Sequence, residues 1–180
     1  MNWGCFDLET DGFLHKVSQT FCMVIRDEHQ VMSFTDDERF DVAGTIEEGM
    51  EHLKTYDTLV GHNIQGYDIP VMKKLYGWET PKHIAVRDTL ILSRLIWSDL
   101  KERDHKRRAK DPSFPKELIG KHKLEAWGHR LRQHKGGCDV SNLTELTQEV
   151  LDYCVQDTNV NVDLWKLQCK RMPELLGVPA

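Results

Sequence analysis

Apolar positions in the first third of the chain come in short runs. Residues 2–9, the run Thr20-Phe21-Cys22-Met23-Val24-Ile25, and the alternation around Val31 and Phe34 predict three strands, joined by tight turns at Asp11-Gly12 and Asp27-Glu28. Thr45-Ile46-Glu47-Glu48 forms a capping box, and Ile46, Met50 and Leu53 follow at helical spacing, so a helix starts there. A strand is expected over 58–61. Beyond it Ile64, Asp68, Val71 and Leu75 fall on one helical stripe with Pro70 in the first turn, and Asp88 caps a helix through Leu92 and Leu95. Lys101 to Pro115 has almost no apolar residue and reads as an exposed loop. Helical pattern resumes over 121–134, breaks at Gly136-Gly137, and returns from about Glu145 to Met172. Strands that precede and interleave with helices predict an α/β fold, a mixed sheet flanked by helices. With no repeat and no linker, a single domain over 1–180 is expected.

Four carboxylates interrupt this pattern. The last helix carries the stripe Leu146, Val150, Tyr153, Asp157, Val160, Leu164, Leu167, and one member is an acid. An ionised Asp on an apolar stripe requires a cation or strong donors to offset several kcal/mol of desolvation. Asp68 repeats the anomaly, although it also reads as a helix cap. On the first strand the two-residue repeat puts Asp7 and Glu9 on one face, roughly 6–7 Å apart, either as a hard-metal site or as a solvated strand end. No His or Cys cluster accompanies the four. Oxygen ligands select Mg2+ or Mn2+ over zinc, and two such ions about 3.5–4 Å apart form the clamp of in-line phosphoryl transfer. Tyr153, one turn before Asp157, is placed either to orient a water or to fill the core.

Charge at first argues against a polyanion substrate, because the 180 residues carry a net −5. The distribution reverses that inference. Residues 101–135 hold 12 basic and 5 acidic residues, net +7, and the rest of the chain carries −12. A basic segment is expected to meet a phosphate backbone, with Lys106, Arg107 and Arg108 at its centre, while the acids elsewhere hold cations. The five cysteines lack zinc-like spacing and read as free thiols of a reducing compartment. Without a leader or a membrane-length apolar stretch, the expected location is cytoplasmic, the host cytoplasm if the protein is phage-encoded.

Three segments then resemble one family. Asp7-Leu8-Glu9-Thr10-Asp11-Gly12 resembles the first motif of the DnaQ-like (DEDD) 3′ to 5′ exonucleases, Asn63-Ile64-Gln65-Gly66-Tyr67-Asp68 the second, and Tyr153-Cys154-Val155-Gln156-Asp157 the third in its tyrosine-bearing form. Asp88-Thr89-Leu90 with Leu92-Ser93-Arg94-Leu95, and Leu124-Glu125-Ala126-Trp127-Gly128 with Arg130-Leu131, are similar to the proofreading domain of podovirus family A DNA polymerases. The resemblance implies a ribonuclease H-like mixed five-stranded sheet flanked by helices. It implies that Asp7 bridges two Mg2+ (or Mn2+) ions, that Glu9 and Asp157 complete the site of the water-activating ion, that Asp68 holds the second ion through waters, and that Tyr153 positions the water.

The substrate side is less determined. Thr10 and Asp11 are candidates to offer backbone amides to the terminal nucleotide, and His62, Arg94, His122 and Lys123 to approach phosphates, although each also reads as a surface or packing residue. Asp88 reads as a cap, and Trp127 and Trp165 as core. The expected activity is metal-dependent 3′ to 5′ hydrolysis of single-stranded DNA ends in replication or proofreading, with a polymerase subunit or domain as partner and no membrane. The alternatives are an exoribonuclease trimming small RNAs and a catalytically silent nucleic-acid-binding module; the motifs grip phosphate and ignore the 2′-hydroxyl.

Overall fold

The computed structural model describes residues 2–133 and 143–173. Five strands form one mixed sheet in the order β3-β2-β1-β4-β5: β1 Trp3–Thr10, β2 Thr20–Arg26, β3 Val31–Phe34, β4 Thr58–Gly61 and β5 Ala85–Asp88. β1, β2 and β3 pair antiparallel, whereas β4 runs parallel to both β1 and β5. This is the expected ribonuclease H-like architecture, with β5 added at an edge where no hydrophobic alternation announced it.

The helices are α1 Ile46–Leu53, α2 Asp68–Tyr76, α3 Thr89–Ile96, α4 Leu100–Lys110, α5 Leu124–Leu131 and α6 Gln148–Arg171. Thr45 and Glu48 cap α1 reciprocally, as the capping box predicts, and Asp88 accepts from Leu90 N and Ile91 N at the start of α3. One face of β1 packs Phe6 and Leu8 with Ile46, Leu53 and Ile64 beneath α1 and α2. The other face packs Trp3 and Cys5 against Val162 and Trp165 of α6. Strand alternation therefore turns Asp7 and Glu9 toward α6.

Two expectations are corrected. The 101–115 stretch is not simply a loop, because α4 occupies most of it and carries its few buried side chains, Leu100 and Asp104, one turn apart. Asp104 is buried because it receives Arg130 of α5 through Nε at 3.0 Å and Nη2 at 2.7 Å. The second concerns α6, whose sheet-facing side is centred on Cys154, Thr158, Asn161 and Trp165, so Tyr153 and Asp157 sit half-buried at its margin, not on its apolar centre. Val160 and Leu164 lie on the adjoining side, past Asp157, packed with Trp97 and Trp127. The Gly136-Gly137 break and Cys138 lie outside the described residues.

Candidate active site

The sheet opens where β1 and β4 part. Their parallel ladder covers only Trp3↔Thr58 to Cys5↔Val60, so the outer half of β1 has no neighbour on that side. In α/β sheets such a switch point, at the carboxyl ends of parallel strands, is where ligands bind. Gly61 ends β4 with no space for a side chain: a Cβ there would collide with Ile64 Cγ2 and lie 3.0 Å from Phe6 O. The chain then turns through Asn63 in the left-handed region (φ 67°), whose carbonyl accepts from Gly66 N and Tyr67 N. Asp88 fastens this turn, accepting from Asn63 N and Gln65 N while capping α3.

That turn delivers Asp68 into the gap. Its Oδ1 accepts from Leu8 N at 3.2 Å, a β1 amide that the short β4 leaves unpaired. Tyr67 closes the other side, its hydroxyl bonded to Gly12 O and to Thr10 Oγ1, so the start of α2 is tied to the end of β1. A register shift between Glu9 and Thr10 marks the same place. Such bulges re-aim side chains beside functional sites.

Asp7 and Glu9 face α6 with one oxygen each and Cys154 Sγ all within 4.8 Å of one another. Asp68 and Asp157 flank that trio, close enough that their charges act on Asp7 and Glu9. Burial first, and then the charges of Asp68, Glu9 and Asp157, hold the Asp7 carboxyl well above the usual range. Glu9 is pushed up to about 8 by burial and then by Asp157 and Asp68; burial raises Asp68 to about 7 and Asp157 to about 6. Tyr153 lies near enough to Asp157 to act on its carboxyl, and burial beside three carboxylates raises its own pKa. Among the described residues, none of the four acids forms an ion pair with Lys, Arg or His. Four mutually repelling carboxylates without a counter-charge, on all-oxygen donors, fit hard divalent cations.

Cys154 is the neighbour that motif reading passed over. Its thiol lies 3.7 Å from both Asp7 Oδ2 and Asp7 O, and a buried cysteine in the Tyr-x-x-x-Asp segment carried no signal of its own. A pH prediction follows from the carboxylates. Because their folded pKa values stand above the unfolded values near 4, the metal-free folded protein binds more protons than the unfolded chain between about pH 4 and pH 8. Stability of the metal-free protein therefore falls as pH rises through that window, and divalent cations restore more of it at pH 8 than at pH 5.5. Thermal melts with chelator and with Mg2+ at the two pH values check this; equal Mg2+ shifts would contradict it.

The substrate-side candidates separate. Asp11 is engaged within its own loop: its amide donates to Gln19 O, and its carboxylate accepts from Ser18 N at 2.9 Å and Gln19 N at 3.2 Å. That amide is not free for a nucleotide. Thr10 is buried in the Tyr67 clasp. His62 is bound through Nδ1 to Thr89 Oγ1 at 2.9 Å, and burial lowers it to about 4, so it presents no positive charge to a phosphate at neutral pH. His122 Nδ1 lies 2.6 Å from Ser93 Oγ, Lys123 pairs with Glu125, and Arg94 is exposed near enough to depress both histidines. Trp127 and Trp165 are core, as expected.

Comparison with known proteins now adds to this geometry. The model of the RNase H superfamily matches residues 4–110, which include all but the first residue of β1, the whole of β4 and α2, and three of the site's residues. The chain belongs to the RNase H superfamily. It is similar to the DNA-directed DNA polymerases of Enterobacteria phage T3 (30% identical) and Escherichia phage T7 (29%), in each case over 86% of this chain and 25% of the relative. The chain thus spans about a quarter of the length of those polymerases. Its RNase H superfamily fold is shared by Brucella melitensis NrnC with bound Mg2+ (TM-score 0.61, 18% identity, 96% of this chain and 74% of that one). It is shared too by E. coli ExoI in a complex with single-stranded DNA (TM-score 0.57, 15% identity, 98% and 42%). The resemblance carried by the three motifs is borne out, and the chain is a nuclease-type enzyme. No helix among the described residues is long and apolar enough to cross a membrane.

Proposed function

We propose that this protein is a metal-dependent 3′ to 5′ exonuclease that removes nucleoside monophosphates from single-stranded DNA ends. The observation that carries it is the convergence of Asp7, Glu9, Asp68 and Asp157 at the β1/β4 opening with no protein cation to offset them. These four residues would hold two divalent cations, Mg2+ or Mn2+. When bound, such a pair supplies an activated water and charge stabilisation on the departing oxygen.

The chain's own residues do the positioning. The Leu8 amide fixes Asp68, the strand pleat fixes Asp7 and Glu9 as a pair, and Cys154 braces Asp7 from behind. Tyr153, one turn before Asp157 and beside it, would orient the attacking water toward phosphorus. Similarity to the T3 and T7 polymerases supports DNA as the substrate and a polymerase as the partner, by covalent continuity or by association. The solved complex of NrnC with pGG gives the RNA-trimming alternative its footing.

The test is loss of 3′-labelled and 5′-labelled DNA and RNA strands with Mg2+, with Mn2+ and with chelator. Stepwise metal-dependent shortening from the 3′ end, faster on DNA, is expected; no loss of either strand would leave a silent binding module, and faster loss of RNA would favour the trimming enzyme. In the same assay Tyr153→Phe lowers kcat about 10- to 100-fold with an unchanged melting temperature. An unchanged kcat would return Tyr153 to a packing role.

A further inference from the structure

A groove of about 470 Å3 lies between α4, α5 and the C-terminal end of α6, lined by seven basic side chains against two acidic ones. One of those acids, Asp104, is already neutralised by Arg130. Lys106, Lys110, Arg132 and Arg171 line the groove and form no side-chain hydrogen bond or ion pair among the described residues. Arg108, central to the expected basic segment, is not part of it, because its guanidinium is spent on Pro112 O and Phe114 O. Arg103 pairs with Asp99 at 2.8 Å, and the Asp111 carboxylate feels Arg132 and Arg107, which still leaves an excess of positive charge among the described residues that line the groove.

Its position relative to the carboxylates is fixed by two helices. On α6, Asp157, Val160, Leu164 and Arg171 follow one stripe at helical spacing, so Arg171 shares a side of the helix with Asp157 about 21 Å away at 1.5 Å per residue. α5 crosses that stripe over Val160 and Leu164. Its C-cap Arg132 lines the groove, and the next residue, Gln133, accepts through its carbonyl from Gln156 Nε2 at 2.7 Å, beside Asp157, so the near edge is roughly 10–12 Å from the site, about the seven-residue rise from Glu125 to Arg132. A stacked strand carries one phosphate per about 3.4 Å. The groove thus spans the positions roughly four to six nucleotides upstream of an end held at Asp157.

We propose that this groove is a second strand-binding site, which holds the backbone phosphates four to six nucleotides upstream of the scissile end and makes long single strands better substrates than very short ones. The proposal rests on the exonuclease reading for its register, and on the groove alone for its charge. A polynucleotide suits it better than an acidic peptide, since the helices that carry Arg130, Arg132 and Arg171 lead back to the carboxylate opening, while α4 supplies the other four cations along the facing wall.

The test compares Lys106→Glu/Lys110→Glu with wild type on a 20-nucleotide strand and on a trinucleotide with the same 3′ end. For the 20-mer, KM rises at least 10-fold with kcat unchanged, and the slope of log affinity against log salt falls by about 1.4 in magnitude, about 0.7 for each lost phosphate contact. Trinucleotide kinetics stay within twofold. An unchanged KM for the 20-mer, or an equal loss on the trinucleotide, would overturn the proposal. Fluorescence anisotropy of the labelled 20-mer in chelator separates this from the activity: a 10-fold weaker variant supports the groove even if neither protein cleaves, and equal affinities refute it. Tighter wild-type binding of a 20-residue poly-glutamate than of the 20-mer would make the groove a peptide site instead.

Discussion

Asp7→Asn is expected to lower the cleavage rate by at least about 10³-fold while making the metal-free protein more stable, not less. The first effect follows from position, because Asp7 is the carboxylate on which the charges of the other three bear. A change at the group meant to hold the cations removes charge stabilisation that exists only in the transition state, where single electrostatic contacts are worth 10²–10³-fold and a lost cation more. The second effect follows from the raised pKa. A carboxylate held up by burial and three like charges opposes folding at neutral pH, so a neutral amide of the same shape relieves repulsion on Glu9, Asp68 and Asp157 together. About 1 kcal/mol or more is expected, a rise of roughly 2–4 °C in the chelated protein. Single-turnover cleavage with excess Mg2+ and melts in chelator measure the two halves. A variant that keeps near wild-type cleavage would end the metal reading, and a lower melting temperature would mean that Asp7 is structurally required.

The second large effect lies away from the chemistry. Asp104 and Arg130 form a doubly hydrogen-bonded pair whose side chains are 2% and 3% exposed, and Asp104 Oδ2 accepts from Gly120 N at 2.8 Å while Arg130 Nη2 donates to Lys121 O at 2.8 Å. The guanidinium lies 4.8 Å over the Trp127 ring and 5.6 Å over that of Phe114. One ion pair thereby ties α4, the 114–121 segment and α5 to each other. Loss of one partner leaves the other as a buried, unpaired charge, so Arg130→Ala is expected to destabilise by about 3–5 kcal/mol. Asp104→Leu combined with Arg130→Met removes both charges and is expected to restore most of that stability, because desolvation of a buried pair consumes much of its attraction. Urea midpoints of the three variants decide the matter. A single variant as stable as wild type would show that the pair is not desolvated in solution.

That pair also explains why α4 escaped hydrophobic-pattern reading. Its inward residues are Leu100 and Asp104, so the position one turn after the leucine, where periodicity seeks a second apolar side chain, holds a charge that only its distant partner makes tolerable. Helix propensity carried the signal instead, since Leu, Lys, Glu, Arg and Ala fill nine of the eleven positions of 100–110, with no Gly or Pro. β5 gave no pattern because its four residues are mostly half-exposed. The four clustered acids were legible for the opposite reason. Each sits where its neighbours are apolar, and the anomaly is local in sequence even though its resolution is not. What sequence could not supply was the set of contacts across the chain: the Leu8 amide on Asp68, the Tyr67 clasp on Gly12, and Cys154 behind Asp7.

The brevity of β4 has a consequence for how such a site arises. The site exists because two adjacent strands have unequal lengths, so a backbone donor of the longer one is left for a side chain to take. Extending β4 by two residues in register would let its own carbonyl satisfy that donor, seal the sheet and displace Asp68 without altering any acid. The chemistry of this fold is thus encoded first as a deletion in a ladder and only second as a set of carboxylates.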